Sequence, residues 1–173
     1  MTDKYFDITK FLDEADILLC EYRVNSLFLI IRKNKSKIVN KIVMKPRISV
    51  TYDRRNGLFD YLPKQAICAE LGVYDASFSI GILTQSDPKK FYAVDAYWKK
   101  FGDRFFWKNA RPTRKIYEKA KTRIINMDPN KCSELCVEFI SDFLNRFPDH
   151  YFDWVYLDSS HLYDETLEDL NII

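Results

Sequence analysis

The chain is poor in glycine. It has four glycines among 173 residues, and neither a GxGxxG nor a GxxxxGK pattern. A loop that wraps a phosphate group needs several glycines, because its backbone must approach the anion closely. The sequence therefore argues against a P-loop nucleotide hydrolase and against a dinucleotide oxidoreductase of the GxGxxG type.

A zinc framework and a membrane span are also missing. None of the four cysteines forms a CxxC pair; Cys132 and Cys136 could share a helix face, but no histidine lies near them. Two thiols alone make a poor zinc site. There is no apolar run long enough to cross a bilayer and no signal-peptide pattern. These absences predict a cytoplasmic protein with reduced thiols and no membrane association.

The net charge is only +2, but each end of the chain lacks one sign of charge. No acidic residue lies between Glu21 and Asp53, and no basic residue follows Arg146. Solvated surfaces explain such runs most simply. An anionic substrate or partner at the basic segment, or attraction between the two ends, stays open. No aromatic residue interleaves the basic positions, which disfavours nucleic acid as a partner. Those positions are Arg32, Lys33, Lys35, Lys37, Lys41, Lys45 and Arg47.

Residues 1–60 are interpreted as an N-terminal appendage, with a helix followed by a basic, irregular segment. Apolar residues recur at helical spacing at Ile8, Phe11, Leu12, Ala15 and Leu19. The apolar run 27–31 is compatible with a strand or a buried helix, and the pattern alone does not decide between them.

Residues 61–173 are expected to form an α/β core, a Rossmann-like parallel sheet flanked by helices. Apolar runs predict strands that alternate with helical patterns. These include a long, mostly helical stretch at about 99–126, interrupted at Pro112, and an acidic last helix with Leu167 and Leu170 on its apolar side. The predicted strands are 66–71, 91–95, 137–140 and 153–158.

Chemically useful residues follow three of these strands. Ligands of an open parallel sheet bind outside the carboxyl ends of its strands. Glu70 and Gly72 end the first strand, and Asp95 ends the second, close to the spacing at which an acid meets ribose hydroxyls. Asp158 and His161 follow the fourth strand. Each feature alone is equally typical of a turn or a helix cap; their order on successive strands favours a nucleoside cofactor.

The segments 69–74 (AELGVY), 91–98 (FYAVDAYW) and 147–158 (FPDHYFDWVYLD) together resemble a known family. They are similar to motifs of class I S-adenosylmethionine-dependent methyltransferases, in particular the branch called methyltransferase family 24. The resemblance covers roughly residues 60–173, and its last motif is the most specific. It implies a Rossmann-like methyltransferase that acts on a hydroxyl of a small molecule, with a sugar among the candidate acceptors.

The resemblance also implies roles for individual residues. Asp95 would bind the ribose hydroxyls, and Asp158 and His161 would serve the methyl-transfer step. Some related sugar methyltransferases bind a divalent metal with acids in this region, so Asp158 is also a candidate metal ligand. The remaining residues implied in cofactor binding are Glu70, Gly72, Val73, Tyr74, Ala96, Tyr97, Ser141 and Asp142.

The chain departs from the family pattern at three places. Ala76 stands where the family usually has a second glycine, and Ser159 and Ser160 stand where it often has glycine after the fourth strand. The chain also ends at Ile173, before the family's further strands. The core is therefore expected to be incomplete at its C-terminus. An alternative is a non-catalytic, truncated relative that acts as a binding module. In that case the strand at 153–158 would be an exposed edge, available for pairing with a second copy of the chain.

Overall fold

The computed structural model describes residues 15–22, 26–33, 58–59, 62–105, 111–159 and 163–173. The first two ranges are described by their backbone alone. The helix predicted before residue 15 and the basic segment 34–57 lie outside the described residues. Within the described part of the chain, no helix is long and apolar enough to span a membrane.

Four parallel strands form the centre of the sheet: β3 (Ile67–Leu71), β4 (Lys90–Val94), β7 (Ser133–Cys136) and β8 (Trp154–Leu157). Their spatial order is β7-β4-β3-β8. The connections contain α1 (Ser77–Gly81), which continues as a π-helical turn (Ile82–Ser86), α2 (Trp98–Phe101), α3 (Thr113–Met127) and α4 (Ile140–Leu144). Helix α5 (Tyr163–Ile172) follows β8. The arrangement is Rossmann-like, as the alternating pattern predicted.

Two N-terminal strands extend this sheet. Strand β1 (Ala15–Tyr22) pairs antiparallel with β2 (Ser26–Lys33), and β2 pairs antiparallel with β8. The predicted helix is therefore wrong for Ala15 and Leu19, because eight-residue strand pairing overrides the helical spacing there. Strand β8 is also not an edge strand, since β3 and β2 flank it. The domain division at residue 60 stays a prediction.

The third strand differs from the sequence interpretation, while the long helical stretch is interrupted at Pro112 as predicted and also at Gly102. Strand β7 ends at Cys136, whereas the sequence predicted a strand at 137–140. The Asp128 carboxylate accepts hydrogen bonds from the amides of Cys132 and Ser133, and it thereby fixes where the strand begins. The stretch 99–126 is broken after α2 at Gly102, which has a φ of 60°. The short strands β5 (Arg104–Phe105) and β6 (Arg111–Pro112) precede α3.

The sheet is covered on two faces with separate apolar clusters. On one side, which we call the α3 face, α1 and α3 pack over Cys68, Phe91, Ala93 and Tyr156. On the other, the α4 face, Phe143 and Leu144 of α4 pack over the alternate strand residues. Burial on both faces explains why β3, β4 and β8 are nearly continuous apolar runs.

Candidate functional site at the ends of β3 and β4

The β3–α1 loop, residues 72–76, begins at a glycine that the backbone requires. Gly72 has a φ of 101°, and its amide donates to the Val94 carbonyl at 2.8 Å. A Cβ at this position would lie 2.0 Å from the carbonyl oxygen of Asp158. The neighbouring strand end, at the carboxyl end of β8, therefore already accounts for glycine here.

The Asp95 carboxylate is bonded to the chain's own amides. One oxygen, Oδ2, accepts from the amides of Val73 and Tyr74 at 3.1 and 2.8 Å. The other, Oδ1, accepts from the Tyr97 amide at 2.9 Å. Burial raises the pKa of Asp95, while these three backbone hydrogen bonds oppose the rise. A carboxylate offers about four acceptor positions, so these bonds leave about one for a ligand hydroxyl.

Tyr97 closes the same network from the other side. Its hydroxyl donates to the Tyr74 carbonyl at 2.9 Å, and its side chain is fully buried on the α3 face. Burial raises the pKa of Tyr97 far above its ordinary value, so the hydroxyl is protonated. Its φ of 40° and ψ of −118° are a strained conformation for a residue with a side chain. Ala96, between Asp95 and Tyr97, is half-buried.

Glu70 lies on the α3 face one residue before the end of β3. It is buried, and its Oε2 accepts a hydrogen bond from the Ser79 hydroxyl of α1. Val73 is buried as well, and Tyr74 is half-buried. These contacts tie the strand to the helix that follows it. Ser79 was not predicted as a site residue, because a serine inside a short helix gives no sequence signal of a buried partner.

The predicted catalytic residues follow β8. The Asp158 amide donates to the Leu71 carbonyl at 2.8 Å, which places Asp158 beside Gly72 at the same edge of the sheet as Asp95. Its side chain is half-buried. His161 lies outside the described residues, so its role as a general base stays a prediction. The neighbouring Ser159 hydroxyl donates to Asp169 Oδ2 of α5 at 2.8 Å.

Ser141 and Asp142 lie inside α4, with Asp142 exposed in its first turn. Because β7 ends four residues earlier than predicted, Val137, Glu138 and Phe139 are the residues that follow the strand directly. The structure therefore brings Asp95, Gly72 and Asp158 together. Ser141 and Asp142 lie in α4 and are separated from the end of β7 by the segment 137–139. Their contact with adenine stays a prediction.

Electrostatics at this edge are mixed. The Lys100 ammonium of α2 pairs with Glu165 of α5 at 2.6 Å. Burial raises the pKa values of Asp95 and Asp169, and the charge of Lys100 opposes both rises. Among the described residues, no three His, Cys, Asp or Glu side chains are grouped so that they could hold a metal ion. A metal role for Asp158 has no support from this part of the chain.

A groove lies on the α4 face, away from these residues. Its lining includes Phe147, His150, Tyr151 and Ile173, and none of the predicted cofactor or catalytic residues. Comparison of the chain with family models, with curated proteins and with solved structures found no match.

Proposed function

We propose that the chain is an S-adenosylmethionine-dependent methyltransferase that acts on a hydroxyl group of a small molecule, with a sugar as the first acceptor to test. One observation carries the proposal: the carboxyl ends of β3, β4 and β8 bring Gly72, Asp95 and Asp158 to one edge of a parallel sheet. Ligands bind at this edge in open α/β sheets. The motif resemblance at 69–74, 91–98 and 147–158 supplies the cofactor class.

The residues present fit a ribose ring with one adjustment. Asp95 has about one acceptor position left for a hydroxyl, whereas the sequence expectation gave it both hydroxyls. Ala96 is half-buried next to it and would lie along the nucleoside. Tyr97 and Val73 are buried, so they support the site from behind. The cofactor would supply a methyl group on a sulfonium centre.

The chain's own contribution to such a reaction is alignment and proton removal. An oriented acceptor gains much of its rate advantage from position alone, and a hydroxyl also needs a base. Asp158, at the end of β8, would accept that proton or orient the acceptor. His161 remains the second candidate for the base. If it has that role, His161→Ala will lower turnover far more than cofactor affinity; an equal loss of both would remove the assignment.

Calorimetric titration with S-adenosylmethionine and S-adenosylhomocysteine tests the proposal. Asp95→Asn keeps one carbonyl oxygen for the loop amides but lowers the acceptor capacity. We expect it to weaken binding about 10- to 100-fold, since a hydrogen bond to a charged group contributes about 1.5–3 kcal/mol. Asp103→Asn, at an exposed position outside the three motifs, is the matched control and should bind like the unaltered chain. A folded, unaltered chain that binds neither compound would refute the proposal.

A second candidate is a non-catalytic binding module. The observation in its favour is that the chain's own amides use most of the Asp95 acceptor positions without any ligand. The same titration separates the two candidates. Pairing with a second copy was expected through β8, but β2 covers that edge. Light scattering would determine whether the chain is a dimer through another surface.

A further inference from the structure

The β3–α1 loop is held on its outer side by two cations of α3. Lys119 Nζ lies 2.8 Å from Asp75 Oδ2, and Arg123 Nη1 lies 3.1 Å from the same oxygen. Lys119 and Arg123 are four residues apart, so they share one face of the helix. The Asp75 carboxylate is therefore the point at which α3 holds the loop.

Arg123 makes further contacts that Lys119 lacks. Its Nη1 lies 3.0 Å from the Asp75 carbonyl oxygen and 2.9 Å from the Ser77 hydroxyl. One guanidinium thus joins a side chain, a backbone carbonyl and the first residue of α1. All three contacts come from Nη1, and a lysine side chain ends one atom sooner, so its ammonium does not reach the same position.

The loop itself is in a conformation that needs such support. Tyr74 and Ala76 have φ values of 52° and 61°, in the left-handed region that residues with a side chain adopt at a cost. On the sheet side, Asp95 and Tyr97 hold the amides of residues 73 and 74 and the carbonyl of residue 74. On the outer side, Arg123 holds residues 75 and 77. The loop is therefore fixed between two sets of polar contacts.

The charges agree with this geometry. Burial acts to raise the pKa of Asp75, but hydrogen bonds from Lys119 and Ser77 and the charge of Arg123 outweigh it, and the pKa is lowered. The carboxylate is ionised at neutral pH, accepts a hydrogen bond from Lys119 and forms an ion pair with Arg123. Asp75 also bonds the Ser77 amide at 3.2 Å, so the ion pair is continuous with the start of α1.

We propose that Arg123 is a positioning residue for the cofactor site, which acts by holding the β3–α1 loop in its left-handed conformation from outside the sheet. The inference rests on the proposed function, since the cofactor is the ligand that the loop would receive. Arg123 touches neither the predicted ribose acid nor the strand ends. It acts on binding through Asp75 and Ser77.

The test compares Arg123→Lys with Arg114→Lys on the same helix. Arg114 stacks over the Trp98 ring at 4.4 Å and is not in contact with residues 73–77 among the described contacts, so it controls for the loss of a guanidinium from α3. Amide hydrogen exchange of Val73, Tyr74 and Ser77 is measured on the unliganded chain. Calorimetry then gives the dissociation constant for S-adenosylhomocysteine.

We expect Arg123→Lys to exchange the loop amides at least about tenfold faster, with the amides of β7 unchanged, and to weaken S-adenosylhomocysteine binding about tenfold. Arg114→Lys should change neither. In a double-mutant cycle, Asp75→Asn combined with Arg123→Lys should lose less free energy of S-adenosylhomocysteine binding than the sum of the losses in the two single variants. The reason is that both substitutions break the same contact.

Unchanged loop exchange in Arg123→Lys, or faster exchange with full cofactor affinity, would overturn the inference. An unaltered chain that does not bind S-adenosylhomocysteine would refute the proposed function, and the inference with it. That failure is recognised because it occurs before any substitution is made.

Discussion

Both faces of the sheet pack aromatic rings, but the α3 face also adjoins buried carboxylates. On the α4 face, Tyr92, Phe143, Phe147, Tyr151 and Phe152 pack ring against ring, and the described polar contact between them is a 3.1 Å hydrogen bond between the Tyr92 and Tyr151 hydroxyls. On the α3 face, the buried cluster adjoins a carboxylate at Glu70, another at Asp95 and the hydroxyl of Ser79.

Under the proposed function, this difference would separate contributions to stability from contributions to ligand binding. Aromatic packing stabilises the fold through buried area and ring geometry, and needs no particular charge. Buried carboxylates cost free energy unless they are hydrogen-bonded or paired, so a fold keeps them where they hold a specific conformation. The strained residues Tyr74, Ala76 and Tyr97 lie beside these carboxylates, on the α3 side. We therefore expect substitutions on the two faces to have separable effects.

The largest effect should come from the point where the two strand ends meet. Gly72→Ala places a Cβ 2.0 Å from a backbone oxygen of Asp158, which neither strand can move away from without breaking its pairing. Because the clash is with backbone in the core, we expect the free energy of unfolding to fall by about 4 kcal/mol or more. Urea denaturation measures it. Gly102→Ala is the control, since its Cβ would meet nothing within 4 Å at a φ of 60°. That control should cost only the backbone strain, about 1–3 kcal/mol.

The next effect isolates the α4 face. Phe143 is fully buried and contacts the rings of Tyr92, Phe147 and Phe152. Phe143→Ala should lower the free energy of unfolding by about 3–5 kcal/mol. Under conditions where the variant is folded, the exchange of the Val73 and Tyr74 amides and the affinity for S-adenosylhomocysteine should stay unchanged. A loss of affinity in the folded variant would contradict the separation of the two faces.

The smallest effect concerns pH. The folded pKa of Asp75 lies below its ordinary value of 3.8, so the ionised carboxylate stabilises the folded state above that value. This contribution is lost as the pH falls through the folded pKa, when the carboxylate takes up a proton. The stability difference between the unaltered chain and Asp75→Asn should therefore be constant near neutral pH and shrink below about pH 4. A difference that grew on acidification would give Asp75 the opposite role.

The sequence by itself determined the parallel core. The apolar runs ending at Leu71, Val94 and Leu157 are strands, because burial on both faces requires nearly every residue to be apolar. The order of Glu70, Gly72, Asp95 and Asp158 at the ends of successive apolar runs predicts a candidate site at one edge of the sheet. The carboxyl ends of parallel strands lie at the same edge of a sheet, so local sequence patterns are enough for this placement.

Tertiary structure decided what local patterns could not. Ala15 and Leu19 fit a helix by spacing, yet they lie in a strand because pairing partners come from distant residues. Strand β7 starts where Asp128 bonds the amides of Cys132 and Ser133, which a hydrophobic pattern does not encode. Likewise, Arg123 contacts Asp75 and Ser77 only because α3 packs across α1. Arg123 and Ser77 are 46 residues apart in the sequence. Contacts of this kind depend on how elements approach in space, and a single sequence carries no local signal of them.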